Sequence, residues 1–569
     1  MTDFPWLTVL GIVPLVGALV VAALPNGRDA LAKQVALLMS LVVLGLTIAM
    51  CAAFEPDGDR FQFVQAYDWI PAFGVQYAVG ADGIALVLIA LIAVLVPVVV
   101  LASWYDADPQ ADPVRREVSA GAAAATAAAA ATSGASSRKV GGGTAVLDAP
   151  PPAADAPVDE LPPRRSVKTF FALLLVLETM MIGVFAATDV FLFYVFFEAM
   201  LIPMYFIIGS YGGARRSYAA MKFLLYSLFG GLLMLVAVIG LYVVSAREGG
   251  GTFAFSELLG LHEQMSTTVE VLLFLGFFIA FAIKAPLFPF HTWLPDAGAE
   301  APVGGAVLLV GVLDKVGTFG FLRYCLPLFP EASRILGPYV IALCVIGILY
   351  GALLAMGQKD LKRLVSYTSV AHFGFIAMGV FAFTTTGQSG AVLYMVNHGL
   401  STGALFLVVG FLIVRGRSRM IPDYSGVANV APILAGTFLI AGLSSLALPG
   451  LSTFVSEFLV LIGTYQRFPV AAVLGAIGVI LAALYVLLMY QRTMQGPVRL
   501  PALLGERMRD LHLREVMAVA PLIALMLVLG IYPKPLLDVI NPAVEATMQD
   551  IGQTDPAPTQ GDGDAVAED

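Results

Sequence analysis

A single lysine, Lys284, stands in the long apolar run VLLFLGFFIAFAIKAPLFPFHTWLPDAGAEA of residues 271–301, and Pro286 and Pro289 follow it closely. Proline lacks a backbone donor and clashes with the preceding turn, so the helix must break beside that charge. A lysine at mid-membrane costs roughly 3 kcal/mol, and unpaired backbone at that depth is tolerated only against protein or a water-filled cavity. A charge beside a broken helix is the arrangement of a transport site. The plainer reading is a lysine snorkelling from a helix end, but the apolar stretch before Lys284 leaves it deep.

Other ionisable residues lie in comparable runs. Glu178 sits in FFALLLVLETMMIGVF, Glu198 in DVFLFYVFFEAMLIPMYFII, Lys315 in VLLVGVLDKVGTFGF, Glu457 in GLSTFVSEFLVLIG, and His398 in YMVNHGLSTGALFL. His372, in LVSYTSVAHFGF, has Ser366, Tyr367, Thr368 and Ser369 just before it, which suit water. Carboxylates, lysines and histidines spread over separate helices fit a proton relay better than one binding site. Asp314 and Lys315 are adjacent and adjacent helical residues do not face each other, so no local ion pair is expected to explain Lys315. Glu178 can also be read as a structural partner of a neighbouring helix, and His398 and His372 as packing groups. His262 and His512 fall in loops and carry no expected role. The carboxylates are not clustered as a hard-cation cage requires, which disfavours sodium. Cys51, Cys325 and Cys344 share no close spacing, so no metal or iron–sulfur cluster is expected.

Positioning these groups requires a bundle. The chain is 59% hydrophobic and only 12% charged, about half the charge of a soluble domain. Fourteen hydrophobic segments, about 4–24, 31–53, 82–104, 168–187, 189–209, 218–245, 268–287, 302–328, 336–356, 364–384, 388–414, 430–463, 469–490 and 515–533, predict an all-α polytopic membrane protein. Pro449-Gly450 interrupts the twelfth segment as Pro286 does the seventh. The two breaks lie five segments apart, and five is odd. This spacing predicts an inverted repeat of segments 4–8 and 9–13, with Lys284 and Glu457 in related places.

The expected organisation is three spanning helices in 1–104 with a short external hairpin at RFQFVQAYDWIPAFGVQYAVG, then a low-complexity Ala/Gly/Pro-rich loop at 105–167. Two repeats follow at 168–328 and 329–490, then a loop and last helix at 491–533, and an acidic polar tail at 534–569. Of 31 Lys and Arg residues, 23 fall in alternate loops when the N-terminus is placed outside; Arg323 is assigned to the sparse outer set. That bias puts both termini on the external side of a bacterial plasma membrane and the basic loops in the cytoplasm. The N-terminus lacks a basic leader region and reads as a first spanning helix.

The stretches FFEAMLIPMYFIIGSYGG, KAPLFPFHTWLPDAGAEAP, GQKDLKRLVSYTSVAHFGF, NHGLSTGALF and FVSEFLVLIG, in that order, resemble the antiporter-like membrane subunits of NADH–quinone oxidoreductase, respiratory complex I, over about 168–533. That family also holds Mrp-type cation/proton antiporter subunits. Glutamate on the second broken helix, as Glu457, and the absence of a long lateral helix point to its M-type branch. The resemblance implies that Glu198 and Lys284 form an input pair, Lys315 a central relay and Glu457 an exit, with His372 and His398 bridging and Glu178 a further carboxylate. It implies L-type and N-type antiporter-like subunits as partners, no nucleic acid, and FMN, iron–sulfur clusters and quinone held only in partner subunits. The alternatives are an Mrp-type antiporter subunit and a scaffold.

Overall fold

The computed structural model describes residues 4–112, 114–115, 165–248, 250–499 and 508–557. Most of the 105–167 loop, residues 116–164, therefore lies outside the described residues. The helices are α1 (Trp6–Ala23), α2 (Asp29–Ala53), α3 (Gly83–Ala102), α4 (Val167–Ala186), α5 (Val190–Tyr211), α6 (Arg216–Ser245), α7 (Thr267–Lys284), α8 (Trp293–Glu300), α9 (Val303–Leu328) and α10 (Pro330–Met356). They continue as α11 (Leu361–Val380), α12 (Thr385–Gly416), α13 (Pro432–Ser445), α14 (Ser452–Tyr465), α15 (Pro469–Met494), α16 (Leu513–Ile531) and α17 (Lys534–Asp550). Twelve of the described helices are long and apolar enough to cross a bilayer. The polar α11 and the shorter α13 and α14 are the elements that also carry or flank ionisable groups.

Burial sorts these helices into layers. The apolar stretch of α9 is entirely buried and that of α12 is 89% buried, against 28% in α2 and α16. Lys315 and His398 therefore ride on the two innermost spans, and α1, α2, α15 and α16 present aliphatic side chains outward. The expected hairpin is present: β1 (Gln62–Ile70) pairs antiparallel with β2 (Val75–Ala81). Gly74, at φ 63°, makes the turn where a side chain would meet the Gly251 carbonyl.

Two local expectations are corrected. Arg323, assigned to an outer loop, is buried in α9 and pairs with Asp82 at 2.7 Å. Asp82 also accepts the Ala85 N–H at the start of α3, so one carboxylate both caps a helix and neutralises a cation. Residues 534–550 of the acidic tail form α17, because Ile540, Ala543, Val544, Thr547 and Met548 repeat at helical spacing and bury one face against α3 and α12. At Gly83 a Cβ would strike the Val539 carbonyl at 1.8 Å, so glycine lets the α17 backbone close on α3. Beyond α17, Asp555 accepts the Thr385 N–H.

Removing one member of a buried pair leaves the other uncompensated, at a cost of about 3–5 kcal/mol. Arg323→Met is expected to lower the thermal midpoint of the detergent-solubilised protein clearly. Asp82→Asn with Arg323→Met, which keeps a capping oxygen and removes both charges, should recover most of the loss. Equal midpoints for the single and double variants would show that the pair does not act as a unit.

Candidate functional site

The first break is closed on itself and anchored. The α7 helix ends at Lys284, the Ala285 N–H still reaches the Phe281 carbonyl, and Leu287 N–H bonds the Ala282 carbonyl. Trp293, fully buried, donates its indole N–H to the Ile283 carbonyl at 2.7 Å and so occupies one acceptor freed by the break. The half-helix α8 is fixed by its two acids. Asp296 accepts from Lys222 of α6 at 2.8 Å and from Arg363 of α11 at 2.6 Å. Glu300 accepts from the Arg215 N–H at 2.9 Å and from Arg419 at 3.0 Å. Burial works against the Asp296 charge, but the hydrogen bonds from Lys222 and Arg363 outweigh it and hold the carboxyl below the usual range.

Lys284 itself is held loosely. It is 1% exposed, its Nζ has no hydrogen-bond partner among the described residues, and it lies 4.6 Å from the Phe197 ring centroid. Glu198, one residue on from Phe197 and at the hinge where α5 bends through Met200, is its electrostatic partner, and Glu198 Oε1 is likewise buried without a hydrogen bond. The Glu198 carboxylate lies directly over Gly231 of α6, where a Cβ would come within 1.6 Å of Oε1. Gly317 of α9 packs against the Phe281 carbonyl and Ala285 amide, bringing the Lys315 helix onto the break.

Lys315 contradicts the expectation that no local pair involves it. Its Nζ lies 3.0 Å from Asp314 Oδ1, and both side chains are fully buried. The reason is a widened turn over Leu309–Leu313: the Asp314 N–H bonds the Leu309 carbonyl five residues back. The Val310 carbonyl is thereby freed, and it accepts from Lys315 Nζ. Lys315 Nζ also lies 2.6 Å from His398 Nδ1 and sits over the Phe373 ring. The His398 ring stands edge-on to His372 at 5.3 Å, and His372 is 5.8 Å from the Tyr394 ring.

The second break follows α13. Ala447 and Gly450 take positive φ in the loop, Thr453 donates to the Ser444 carbonyl across it, and His372 reaches the Ser445 main chain. Asn397 ties α12 to α14 through the Ser452 carbonyl at 2.7 Å and Ser456 Oγ at 3.3 Å. Glu457 is buried beyond this point, and its charge acts on Tyr394 and on Tyr485 of α15. The structure thus joins Lys315, His398 and His372 in direct contact and places Tyr394 beside His372 and within the field of Glu457. Glu178 stands apart on α4, fully buried, with neither carboxylate oxygen bonded among the described residues. Sequence reasoning missed Asp314 and Tyr394. Tyr394 lies four residues before His398, on the same face of α12, which is the signal that could have found it. His512 caps the start of α16 reciprocally with Glu515. No cluster of three or more potential metal-ligating side chains occurs among the described residues.

A bundle with two broken helices and buried lysines, histidines and acids in line is the class of an antiporter-like ion-translocating membrane protein. The family signature described as NADH:quinone oxidoreductase/Mrp antiporter, transmembrane, matches residues 187–484. NADH-quinone oxidoreductase subunit M of Mycobacterium tuberculosis is 51% identical, over 98% of this chain and 97% of its own. A chain of respiratory complex I from Thermus thermophilus aligns with a TM-score of 0.78 at 30% identity, over 96% of this chain and all of that one. A chain of the Mrp complex from Dietzia sp. shares the fold, at TM-score 0.74 and 19% identity. The chain belongs to the NADH:quinone oxidoreductase/Mrp antiporter family, in its subunit M branch.

Because a side chain at Gly231 would displace the Glu198 carboxylate, Gly231→Ala is expected to lower turnover-driven proton translocation, by as much as ~100-fold if the shift approaches 1 Å. It should do so with the complex assembled. Gly230→Ala, at the neighbouring position facing Ala280, serves as the packing control. Equal loss in both variants would assign the effect to helix packing.

Proposed function

We propose that this chain is a proton-translocating membrane-arm subunit of NADH-quinone oxidoreductase. Protons move through Glu198, Lys284, Lys315, His398, His372 and Glu457, driven by NADH oxidation and quinone reduction in other subunits. The observation that supports this reading is the buried contact of Lys315 with His398 at 2.6 Å, with His372 against His398, Tyr394 beside His372, and Glu457 close enough for its field to reach Tyr394. Its neighbours in the arm are L-type and N-type antiporter-like subunits, its basic loops face the cytoplasm, and both termini lie outside. FMN, iron–sulfur clusters and quinone belong to partner subunits. The two breaks, α7/α8 and α13/α14, are read as related positions of an inverted repeat.

The chemistry is proton transfer between closely spaced groups. Lys284 and Glu198 interact without a hydrogen bond locking them, so a charge or shape change in a neighbouring subunit can alter their balance. A proton released from Lys284 moves toward Lys315, whose ammonium donates to His398 Nδ1. The imidazole tautomer that accepts there carries its proton on Nε2, which is free to pass it on. Glu178 is the remaining buried carboxylate, and the reading gives it an accessory place. Moving each charge outward against 100 mV costs about 2.3 kcal/mol, which only the coupled redox reaction supplies.

Lys284→Ala tests the relay. NADH-driven proton uptake into inverted vesicles is measured beside NADH oxidation, with assembly checked. Loss of uptake, with or without loss of oxidation, is expected; normal rates of both in an assembled complex would overturn the relay. Lys284→Arg, permanently charged, is expected to be as defective as the alanine variant, and normal uptake there would remove proton release at this site from the mechanism.

Asp314→Asn keeps the shape of the central site and removes the counter-charge of Lys315. Proton uptake is expected to fall at least several-fold in this variant, and an unchanged rate would make the pair structural.

A further inference from the structure

At the end of the bundle away from the basic loops, α10 and α15 leave between them a groove of about 540 Å³, within the ~300–1,000 Å³ of small-molecule sites. Buried Ile341 and Val345 form its floor, and Ile346, Val470 and Leu474 are its exposed walls. The positions of α10 that line it run from Pro338 to Ile346, which is ~12 Å of helix at ~1.5 Å per residue. Further in, the groove is closed. A Cβ at Gly478 of α15 would come within 2.2 Å of the Ile348 side chain of α10, so the two helices meet there. With a hydrocarbon core of ~30 Å, the groove has about the depth of one leaflet.

Arg467, in the turn between α14 and α15, lines the shallow end of this groove. Its guanidinium is fixed by backbone: Nε donates to the Phe383 carbonyl at 2.9 Å and Nη2 to the Thr554 carbonyl at 2.5 Å. Nη1 stays uncommitted, and the side chain forms no ion pair among the described residues. Other cations at this end do find carboxylates: Arg60 bonds Asp550 at 2.7 Å and Lys534 bonds Asp538 at 2.6 Å. None of the residues lining the groove is acidic. Tyr339 and Tyr465, near Pro338 and Arg467 in the chain, are exposed, as aromatic side chains at headgroup level are.

We infer that the groove holds an acyl chain of an anionic phospholipid from the leaflet opposite the basic loops, with Arg467 on its phosphate. A fixed guanidinium with a free N–H suits a phosphate oxygen. A spanning helix of a partner protein would need a furrow along the full height of α10 and α15, and the contact at Gly478 closes it halfway. A zwitterionic headgroup would bring an ammonium that finds no carboxylate in the lining. The bound phosphate braces the turn after α14, the helix that carries Glu457, through the same side chain that holds Phe383 and Thr554. The site is independent of the proton relay.

The assembled complex is reconstituted into phosphatidylcholine vesicles containing a trace of either phosphatidylglycerol or phosphatidylcholine with a photoactivatable diazirine in the acyl chain. Labelled residues are read by mass spectrometry. Ile341, Val345 and Leu474 are expected to take about fivefold more label from phosphatidylglycerol, the preference that one interfacial cation confers. Arg467→Gln should remove that preference. Because Arg467 also holds two carbonyls, Ala342→Trp, which leaves them in place and fills the groove, serves as a second variant. Label at Ile341 and Val345 should fall several-fold in it. Equal labelling by the two lipids in the unsubstituted complex would mean ordinary surrounding lipid and overturn the inference. Absence of label from both would mean that a neighbouring protein chain covers the groove, and would overturn it too. So would a preference that survives Arg467→Gln, or labelling unchanged in Ala342→Trp.

Discussion

A charge at hydrocarbon depth is expensive, and the cost falls only when the surrounding backbone or another charge compensates it. Four of the ionisable groups along the buried line lie close to a departure from regular helix geometry, whereas His372 and His398 sit within regular helices. Lys284 ends α7 beside Pro286, Glu198 precedes the Met200 hinge of α5, Lys315 follows the widened turn of α9, and Glu457 lies past the Pro449-Gly450 break. At Lys315 the departure serves the charge directly. The α9 turn frees the Val310 carbonyl for the Lys315 ammonium, and adjacency supplies Asp314 as counter-charge. A regular α9 would leave Lys315 without that carbonyl.

The same constraint divides the site into a rigid frame and an adjustable pair. The half-helix α8 is clamped by Asp296 and Glu300 to Lys222, Arg363, Arg215 and Arg419, residues from several elements, so the break keeps its shape. Lys284 and Glu198 are held by packing against Phe197 and Gly231 and by their mutual field, with no hydrogen bond between them among the described residues. Rigidity around a loose pair is what a switch requires. Small movements of α5 against α6 then change the field at Lys284 without disturbing α8. Interior packing transmits such shifts because it has little free volume to absorb them.

Much of this was legible in the residues. The spanning segments follow from hydrophobic length, both breaks from Pro286 and Pro449-Gly450, and the hairpin from alternation around Pro71. What was not legible depended on departures from regular geometry or on distant contacts. The rule that neighbours on a helix do not face one another made Asp314 look irrelevant, and a long lysine curling back beside a widened turn defeats it. Arg323 reads as a loop cation at the end of an apolar run, and only the α9 path shows it paired with Asp82. The α17 stripe was hidden because the acidic residues after 550 dominate the composition of the tail. Tyr394 carries no charge and so drew no notice, although its place on the His398 face of α12 puts it beside His372 and within the field of Glu457.

The order of groups along the line bears on direction. The Asp314–Lys315 pair is close to neutral as a unit, so a proton passing it meets a polarisable site and not a bare cation. A second lysine at the far end would present a like charge to a proton leaving the histidines. Glu457 presents a carboxylate instead, reached past a phenol, and a carboxylate binds an arriving proton by losing charge in a place where charge is costly. In the proposed relay the cationic end at Lys284 and the acidic end at Glu457 thus tilt the buried line one way. The external energy is then needed chiefly to reset the Glu198–Lys284 pair and to release the proton from Glu457, and those are the two places where a neighbouring subunit can act.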